Sequence, residues 1–358
     1  RPWSAALFPV GRGVVAAGMA MAVANAGLMD HAMAVGRPCG VEVSSDGRAE
    51  SIFPKTETET ETETDLGGFP DSLLSVRLHP VPGDWRGSTD LARMPDGSAA
   101  VVMSGRHRIA LVSANGQEIR TVGGFGARPG EFSTPVSIDM SRSGRAVVSD
   151  PGNARIQVFD SRWIPIAQWT LGSDLSSLSG VSDPFADAGP SLRAAYAAWG
   201  DDDEVLAFDP RAVRLIRLSG GGGVLQDISL FGELPRGLTG MQWAGSRLQL
   251  LDPSSGAVHE LNADGAVLGF RMCPAGTTAF HAGPSGITCA ATAGWSRLDR
   301  TGAPVWQTRF ALPPDGAGSA GGYGEPVAIE LDRGGSGWLL TRSGLYRVEA
   351  LSDPDFPR

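Results

Sequence analysis

The feature that most constrains this chain is an acid–proline step that recurs at nearly regular intervals. It occurs at Asp150-Pro151, Asp209-Pro210 and Asp252-Pro253. Three further segments have the same succession of apolar runs and turns, and the corresponding positions in them are Met103, Cys289 and Leu339. Successive positions lie 47, 59, 43, 37 and 50 residues apart. These separations scatter around the ~40–50 residues that one repeat of four strands occupies. The chain is therefore predicted to contain six copies of one small unit.

Each unit has the pattern of an antiparallel meander. Short apolar runs are separated by turn residues, and the last run of three units follows Asn115-Gly116, Asp264-Gly265 or Thr301-Gly302. Six such meanders around one axis form an all-β, six-bladed β-propeller, which we expect over 71–352. The segment 73–80 stands before the first complete unit, and the last unit ends after its third strand. We therefore expect the N-terminal strand to close the last blade as its outer strand.

One unit carries a resemblance to a known family. The segment 126–160 resembles an NHL repeat. The matching residues are Pro-Gly-Glu-Phe at 129–132, Pro135, Gly144, Asp150, Asn153, Arg155, Ile156, Val158 and Phe159. The match is specific here and partial in 90–116, whereas the other four units keep only the spacing. The resemblance implies a six-bladed propeller, often of exported bacterial proteins, and it implies no activity.

The corner at Asp150 has a structural and a functional interpretation. Asp150 and Asn153 can accept turn N–H groups, Gly152 tolerates unusual backbone angles, and Arg155 can reach Asp150 across the turn. The alternative is a calcium site made by Asp150, Asn153 and Asp160, which would require several converging oxygen ligands. We favour the structural role because only this unit retains Asn153.

Composition excludes some classes of partner. The chain has a net charge of −9, so its surface repels phosphate backbones and nucleic acid is not an expected partner. The first 34 residues read as a signal peptide or N-terminal anchor, with an apolar run at 14–29 and the small-x-small step Ala32-Met33-Ala34. The protein is therefore expected to be secreted or periplasmic, and it contacts a membrane only if this segment is uncleaved. Residues 35–70 contain the Thr-Glu repeat 55–65, which indicates a flexible linker.

Export would permit a disulfide. Cys273 and Cys289 flank a short segment rich in turn residues, so neighbouring antiparallel strands could bring them together. The alternative is a pair of buried thiols. Cys39 has no partner in either case.

The presumed inner strands hold the candidate ligand-binding residues. Tyr196, Trp199, Trp243 and His281 are placed there and could line a pocket at one mouth of the channel. Asp139 and Glu330 are weak metal candidates, because these strands could bring at most two acids to the channel. The acidic run 201–204 falls in a turn and reads as a solvated loop. No catalytic residue and no cofactor are predicted.

These observations favour a non-catalytic binding module whose partner is a protein, a peptide or a glycan. Two alternatives stay open. One is a propeller enzyme, either a metal-assisted lactonase or a lyase, that uses acids around the channel. The other is a structural subunit of a membrane complex, held there by an uncleaved N-terminal helix.

Overall fold

The computed structural model describes residues 76–170, 195–283, 286–292, 294–308 and 323–350. The predicted signal segment 1–34 and linker 35–70 lie outside these residues. In the described part of the chain, every regular element is a β-strand or a short 3₁₀ turn. No helix there has the length and apolar character needed to cross a membrane.

The strands form six sheets of four antiparallel strands each, which confirms the predicted six-bladed propeller. After β1 (Val76–Pro80), the first three blades comprise β2 (Asp90–Arg93), β3 (Ala99–Met103), β4 (Arg108–Val112), β5 (Glu118–Gly123), β6 (Ser137–Met140), β7 (Ala146–Asp150), β8 (Arg155–Phe159), β9 (Pro165–Thr170), β10 (Tyr196–Trp199), β11 (Val205–Asp209), β12 (Arg214–Leu218) and β13 (Val224–Ser229). The last three comprise β14 (Thr239–Ala244), β15 (Arg247–Asp252), β16 (Ala257–Leu261), β17 (Val267–Met272), β18 (Thr277–Gly283), β19 (Gly286–Ala291), β20 (Gly294–Leu298), β21 (Pro304–Thr308), β22 (Pro326–Leu331), β23 (Gly337–Thr341) and β24 (Leu345–Ala350).

The ring closes as the sequence predicts. The last blade has the order β22-β23-β24-β1, so the first strand of the chain is its outer strand. β1 pairs with β24 from Val76 opposite Ala350 to Pro80 opposite Tyr346. The first strand of each blade contacts the first strands on either side, and β22 contacts β2. The six first strands therefore surround a central channel.

The hydrophobic core is divided into six parts, each between two adjacent blades. Blades one and two, for example, share a cluster that contains Phe132 and Phe159, both fully buried. Blades six and one share another cluster around Trp85 and Trp338. Alternating side chains of each strand point to opposite faces of a sheet, and here both faces of most blades are covered by a neighbour. For this reason the second strands, such as β3 and β11, are buried at every position.

The meander divides the loops between two faces of the wheel. One face carries the turns between second and third strands together with the connections between blades, and we call it the connector face. In the described residues it includes 104–107, 124–136, 151–154, 210–213 and 230–238. The opposite face carries the other hairpin turns, including the acidic turn Asp201–Asp203.

Candidate functional site: the connector face and the channel

The corner at Asp150 lies on the connector face and holds the connection between blades one and two. Asp150 is fully buried. Its Oδ1 accepts hydrogen bonds from the backbone N–H of Ser133, at 3.0 Å, and of Thr134, at 2.8 Å. Its Oδ2 accepts from Nδ2 of Asn153 at 2.7 Å, and the same amide group donates to the Gly126 carbonyl. The carboxylate therefore ties the turn to the connection that crosses above it.

Arg155 adds a second set of bonds to the same connection. Its side chain is 4% exposed, and its Nε lies 3.3 Å from Oδ2 of Asp150. Its guanidinium also donates to the carbonyls of Ala127 and Glu131, at 2.7 Å each. A buried cation with a full set of acceptors is a structural group. Asp160, the third residue of the alternative calcium site, does not join this group, because it lies at the far end of β8 and caps the turn there.

Gly152 is needed for a different reason from the predicted one. It does not have a positive φ; that conformation falls on Ala154, with φ 50°. A Cβ at Gly152 would lie 2.6 Å from Oγ1 of Thr134 and 2.7 Å from Oγ of Ser133. The expectation of unusual backbone angles was wrong, and the close approach of the crossing connection excludes larger residues instead.

The channel is lined by the free edges of the first strands. Unpaired N–H groups along such an edge need acceptors. Oδ2 of Asp90 accepts from Ile138 N at 2.9 Å, and Oδ2 of Asp139 accepts from Trp199 N at 2.8 Å. In each case, a carboxylate of one blade accepts a hydrogen bond from a backbone N–H group at the inner edge of the next blade. Gln242 does the same for Ala282. These polar residues join neighbouring blades at the inner edge.

Three acids, rather than at most two, gather at the channel. The charges of Asp139 and Glu330 act on Asp90, and that of Glu330 acts on Asp139. Oε1 of Glu330 accepts from Nε2 of Gln242 at 2.7 Å, and Oε2 lies 3.2 Å from Nδ1 of His281. Asp90 stands two positions earlier on its strand than Asp139 and on the same face, so both acids reach the channel. Among the described residues, no group of three or more His, Cys, Asp or Glu side chains is arranged to hold a metal ion.

Desolvation is the largest cause of the pKa shifts of two of these acids, Asp90 and Asp139. Desolvation raises the pKa of Asp90 to about 8 and that of Asp139 to about 7. Backbone N–H donors oppose these shifts, whereas the Glu330 charge adds to both of them. Both acids therefore bind protons in the folded protein at pH values where an unfolded chain has already released them.

This difference predicts a decline in stability with pH. Between the unfolded pKa of about 4 and the folded values, the native state holds more protons than the unfolded state, so raising the pH favours unfolding. The slope is up to about 1.4 kcal/mol per pH unit for each acid. We expect the urea midpoint of the wild type to fall from pH 5 to pH 8, and that of Asp90→Asn to fall less steeply. Equal slopes for the two proteins would contradict the assignment.

Tyr196 lies at the connector-face end of its strand and borders a pocket of about 450 Å³. The pocket is also lined by Pro210, Arg211, Arg236, Gly237, Leu238 and Thr239. It therefore lies between blades three and four. Burial raises the pKa of the Tyr196 hydroxyl, the Gly240 N–H opposes this, and the charge of Asp90 adds to it.

The two tryptophans lie towards the other face. Trp199 is 6% exposed and packs between blades two and three, with the Arg145 guanidinium 4.6 Å from its ring centre. Nε1 of Trp243 donates to Asp201 at 3.1 Å in the acidic turn. The structure therefore does not bring Tyr196, Trp199, Trp243 and His281 together into one pocket, because they lie at different depths along the axis. Their roles in ligand binding stay predictions.

The connector face carries two exposed phenylalanines that were not predicted from the sequence. Phe125 is 75% exposed and Phe231 is 54% exposed. Each begins a connection between blades and is followed by glycine, so the recurrent Phe-Gly pair was the signal that could have revealed them. Phe125 stacks edge-on against His107, with ring centres 4.9 Å apart, and Arg236 lies 5.0 Å from the ring centre of Phe231. The face therefore presents two aromatic side chains, each held by a basic neighbour.

Cys273 and Cys289 are joined by a disulfide in the structure. The bond links the residue after β17 to the second strand of the next blade. Both cysteines are buried in the cluster that blades four and five share. The bond therefore fastens one blade to its neighbour.

Comparisons with known proteins give a fold and no family. No protein-family model matches the chain, and no curated protein matches it. Virginiamycin B lyase from Staphylococcus aureus is 12% identical with a TM-score of 0.50, over 78% of this chain and 100% of that one. A protein of unknown function from Bacteroides thetaiotaomicron is 13% identical with a TM-score of 0.53, over 77% of this chain and 76% of that one. A putative exported protein from Bacteroides fragilis is 8% identical with a TM-score of 0.50, over 79% and 96% of the two chains. This chain shares their β-propeller fold. At these identities the likeness carries no activity, since propellers with unrelated functions share this fold.

Proposed function

We propose that this protein is a non-catalytic binding module that engages a protein, peptide or glycan partner on its connector face. The observation that carries the proposal is the pair of exposed phenylalanines at the starts of two connections. Large aromatic side chains in the centre of a contact supply much of the free energy of association. Export to the periplasm or the exterior, which the N-terminal segment predicts, belongs to the same proposal.

The backbone of the first connection presents Phe125 outwards. The connection folds back on itself, because Phe132 N donates to the Gly124 carbonyl at 2.8 Å and Gly126 N donates to the Phe132 carbonyl at 3.1 Å. Phe132 fills the core while Phe125 projects on the other side. His107 approaches from the neighbouring turn, and its Nδ1 donates to the Ser133 carbonyl of the same connection. The ring is thus held in position before any partner arrives.

The second connection presents Phe231 in a comparable way. Leu230 and Leu234, on either side of it, are buried in the core between blades three and four. Leu234 N donates to the Leu230 carbonyl at 3.1 Å, which closes a tight turn with Phe231 at its outer side. Side chains held in the bound position lose less entropy on association, so both rings are suited to act as anchors.

The channel supports a second candidate function. Acids with a pKa near neutrality, such as Asp139, suit general acid–base catalysis, and such groups gather at active sites. This favours the alternative of a propeller enzyme, a lactonase or a lyase. The binding module accounts for more of the geometry, because Asp90 and Asp139 each already accept two backbone N–H bonds, one of which joins the blade to its neighbour.

The test removes both rings. Peptides from a displayed random library and glycans on an array are selected for binding to the wild-type protein. We expect the selected ligands to bind the double variant Phe125→Ala, Phe231→Ala at least 10-fold more weakly, because each exposed anchor contributes about 1–2 kcal/mol. Affinity is measured by fluorescence polarisation.

A matched control keeps the rest of the surface constant. Ile166 is 53% exposed on the outer strand β9, away from the connector face, so Ile166→Ala removes a comparable apolar group from another place. It should bind the same ligands as tightly as the wild type does. Equal binding by the double phenylalanine variant, or failure to select any ligand, would overturn the proposal.

A further inference from the structure

The pocket between blades three and four is lined by two basic side chains, although the chain as a whole is acidic. Arg211 and Arg236 both line it, and both are exposed. Neither forms an ion pair within the part of the chain that the structure describes. In contrast, Arg214 nearby pairs with Asp227, and Arg217 pairs with Glu204 at 2.6 Å. The pocket thus holds two guanidinium groups whose charges no carboxylate balances in the part of the chain that the structure describes.

Among the described residues, the acids near the pocket form no ion pair with these two groups. Asp209 is buried, and its Oδ1 accepts the backbone N–H of Arg211 at 2.9 Å and of Ala212 at 3.2 Å. Glu233 is exposed on the same connection as Arg236 and forms no ion pair with it. The guanidinium of Arg236 instead lies over the ring of Phe231. Both arginines therefore keep N–H donors for a ligand.

Apart from Gly237 and the polar Thr239, the remaining walls of the pocket are apolar or aromatic. Leu238 is 1% exposed, Pro210 stands at the corner of blade three, and Tyr196 is the first residue of β10. A volume of about 450 Å³ suits one or two amino-acid side chains. The lining therefore combines a site for negative charge with a site for an apolar group.

We propose that this pocket binds a carboxylate-bearing segment of a peptide or protein, in which an acidic side chain stands beside an aromatic or large apolar one. The inference rests on the proposed function and names its ligand class. Guanidinium groups bind carboxylates through paired, charge-assisted hydrogen bonds, and the fork of donors fits both carboxylate oxygens. The apolar neighbour of the acid packs against Phe231 and the pocket wall. A neutral glycan would leave both arginines without a counter-charge.

The test compares blocked, fluorescein-labelled hexapeptides that differ at one pair of residues: Glu-Phe, Gln-Phe and Glu-Gly. We expect the wild-type protein to bind the Glu-Phe peptide at least 10-fold more tightly than either of the others at low salt. That preference over Gln-Phe should vanish in the double variant Arg211→Gln, Arg236→Gln, because the positive charges that bind the Glu carboxylate are removed. It should also shrink at high salt.

The control variant is Arg333→Gln, an exposed arginine in the β22–β23 turn on the opposite face, which should keep the full preference. An unchanged preference in the double arginine variant overturns the inference, as does equal binding of Glu-Phe and Gln-Phe by the wild type. Tighter binding of an acidic glycan than of any peptide also overturns it. Phe125 lies outside this pocket. If the phenylalanine variant loses the displayed ligands but the wild type shows no preference for the acidic peptide, the proposed function stands and this inference is refuted.

Discussion

Replacing Asp150 with alanine is expected to destabilise the protein by about 3–5 kcal/mol. The substitution leaves the Arg155 guanidinium, which is 4% exposed, without its counter-charge. It also removes the acceptor of the Ser133 and Thr134 N–H groups. Breaking a buried ion pair from one side costs more than the pair itself contributes, because a charge stays buried and unpaired. Urea unfolding followed by tryptophan fluorescence measures the change.

Two companion variants make this result specific. Asp150→Asn keeps one acceptor but loses the charge, so it should fall between the wild type and Asp150→Ala. Asp264 pairs with Arg217 while its side chain is 67% exposed, and Asp264→Ala should cost less than about 1 kcal/mol. If Asp150→Ala costs no more than Asp264→Ala, the corner does not hold the connection as described.

Reduction of the Cys273–Cys289 bond is expected to cost about 3 kcal/mol. The two cysteines are 16 residues apart, and a cross-link of this length removes many conformations from the unfolded chain. The bond also ties blade four to blade five within their shared core, so its loss should loosen that boundary first. Urea unfolding with and without a reducing agent measures the effect.

Cys39 supplies the matched control for this experiment. A Cys39→Ser protein cannot exchange its disulfide with a free thiol, and reduction should lower its stability as much as that of the wild type. The double variant Cys273→Ser, Cys289→Ser should not respond to the reducing agent. A wild-type midpoint that reduction leaves unmoved would show that the bond does not contribute to stability.

The number of blades and the closure of the ring were predictable because both depend on spacing. Acid–proline steps mark the ends of second strands, and the structure places β7, β11 and β15 there. The shape of the corner recurs more widely than its residues do. The fourth position after the acid, or after Met103 in its place, has a positive φ in His107, Ala154, Val213 and Gly256. A backbone conformation that His, Ala, Val and Gly all adopt leaves no common residue to recognise.

The candidate site was less predictable, because it depends on contacts between blades. The sequence places Tyr196 and His281 on first strands, and the structure agrees. It cannot show that Trp199 points into a core while Tyr196, three positions earlier and on the opposite face of β10, reaches the connector face. Arg211 and Arg236 are also 25 positions apart in the sequence and meet only at the boundary between blades three and four.

The pairing of β1 with β24 sets an order of events during synthesis. Val76 pairs with Ala350, which lies near the other end of the propeller in the sequence. Among the strands of the propeller, β1 therefore leaves the ribosome first and its partner β24 leaves last. Blades one to five consist of neighbouring strands and can form as they emerge, whereas the sixth cannot be completed until β24 has emerged. Until β1 pairs with it, β24 has an open edge that a β1 strand from another chain could also fill. Slow translation of the segment that follows β24 would therefore lengthen the period in which two copies can exchange their first strands.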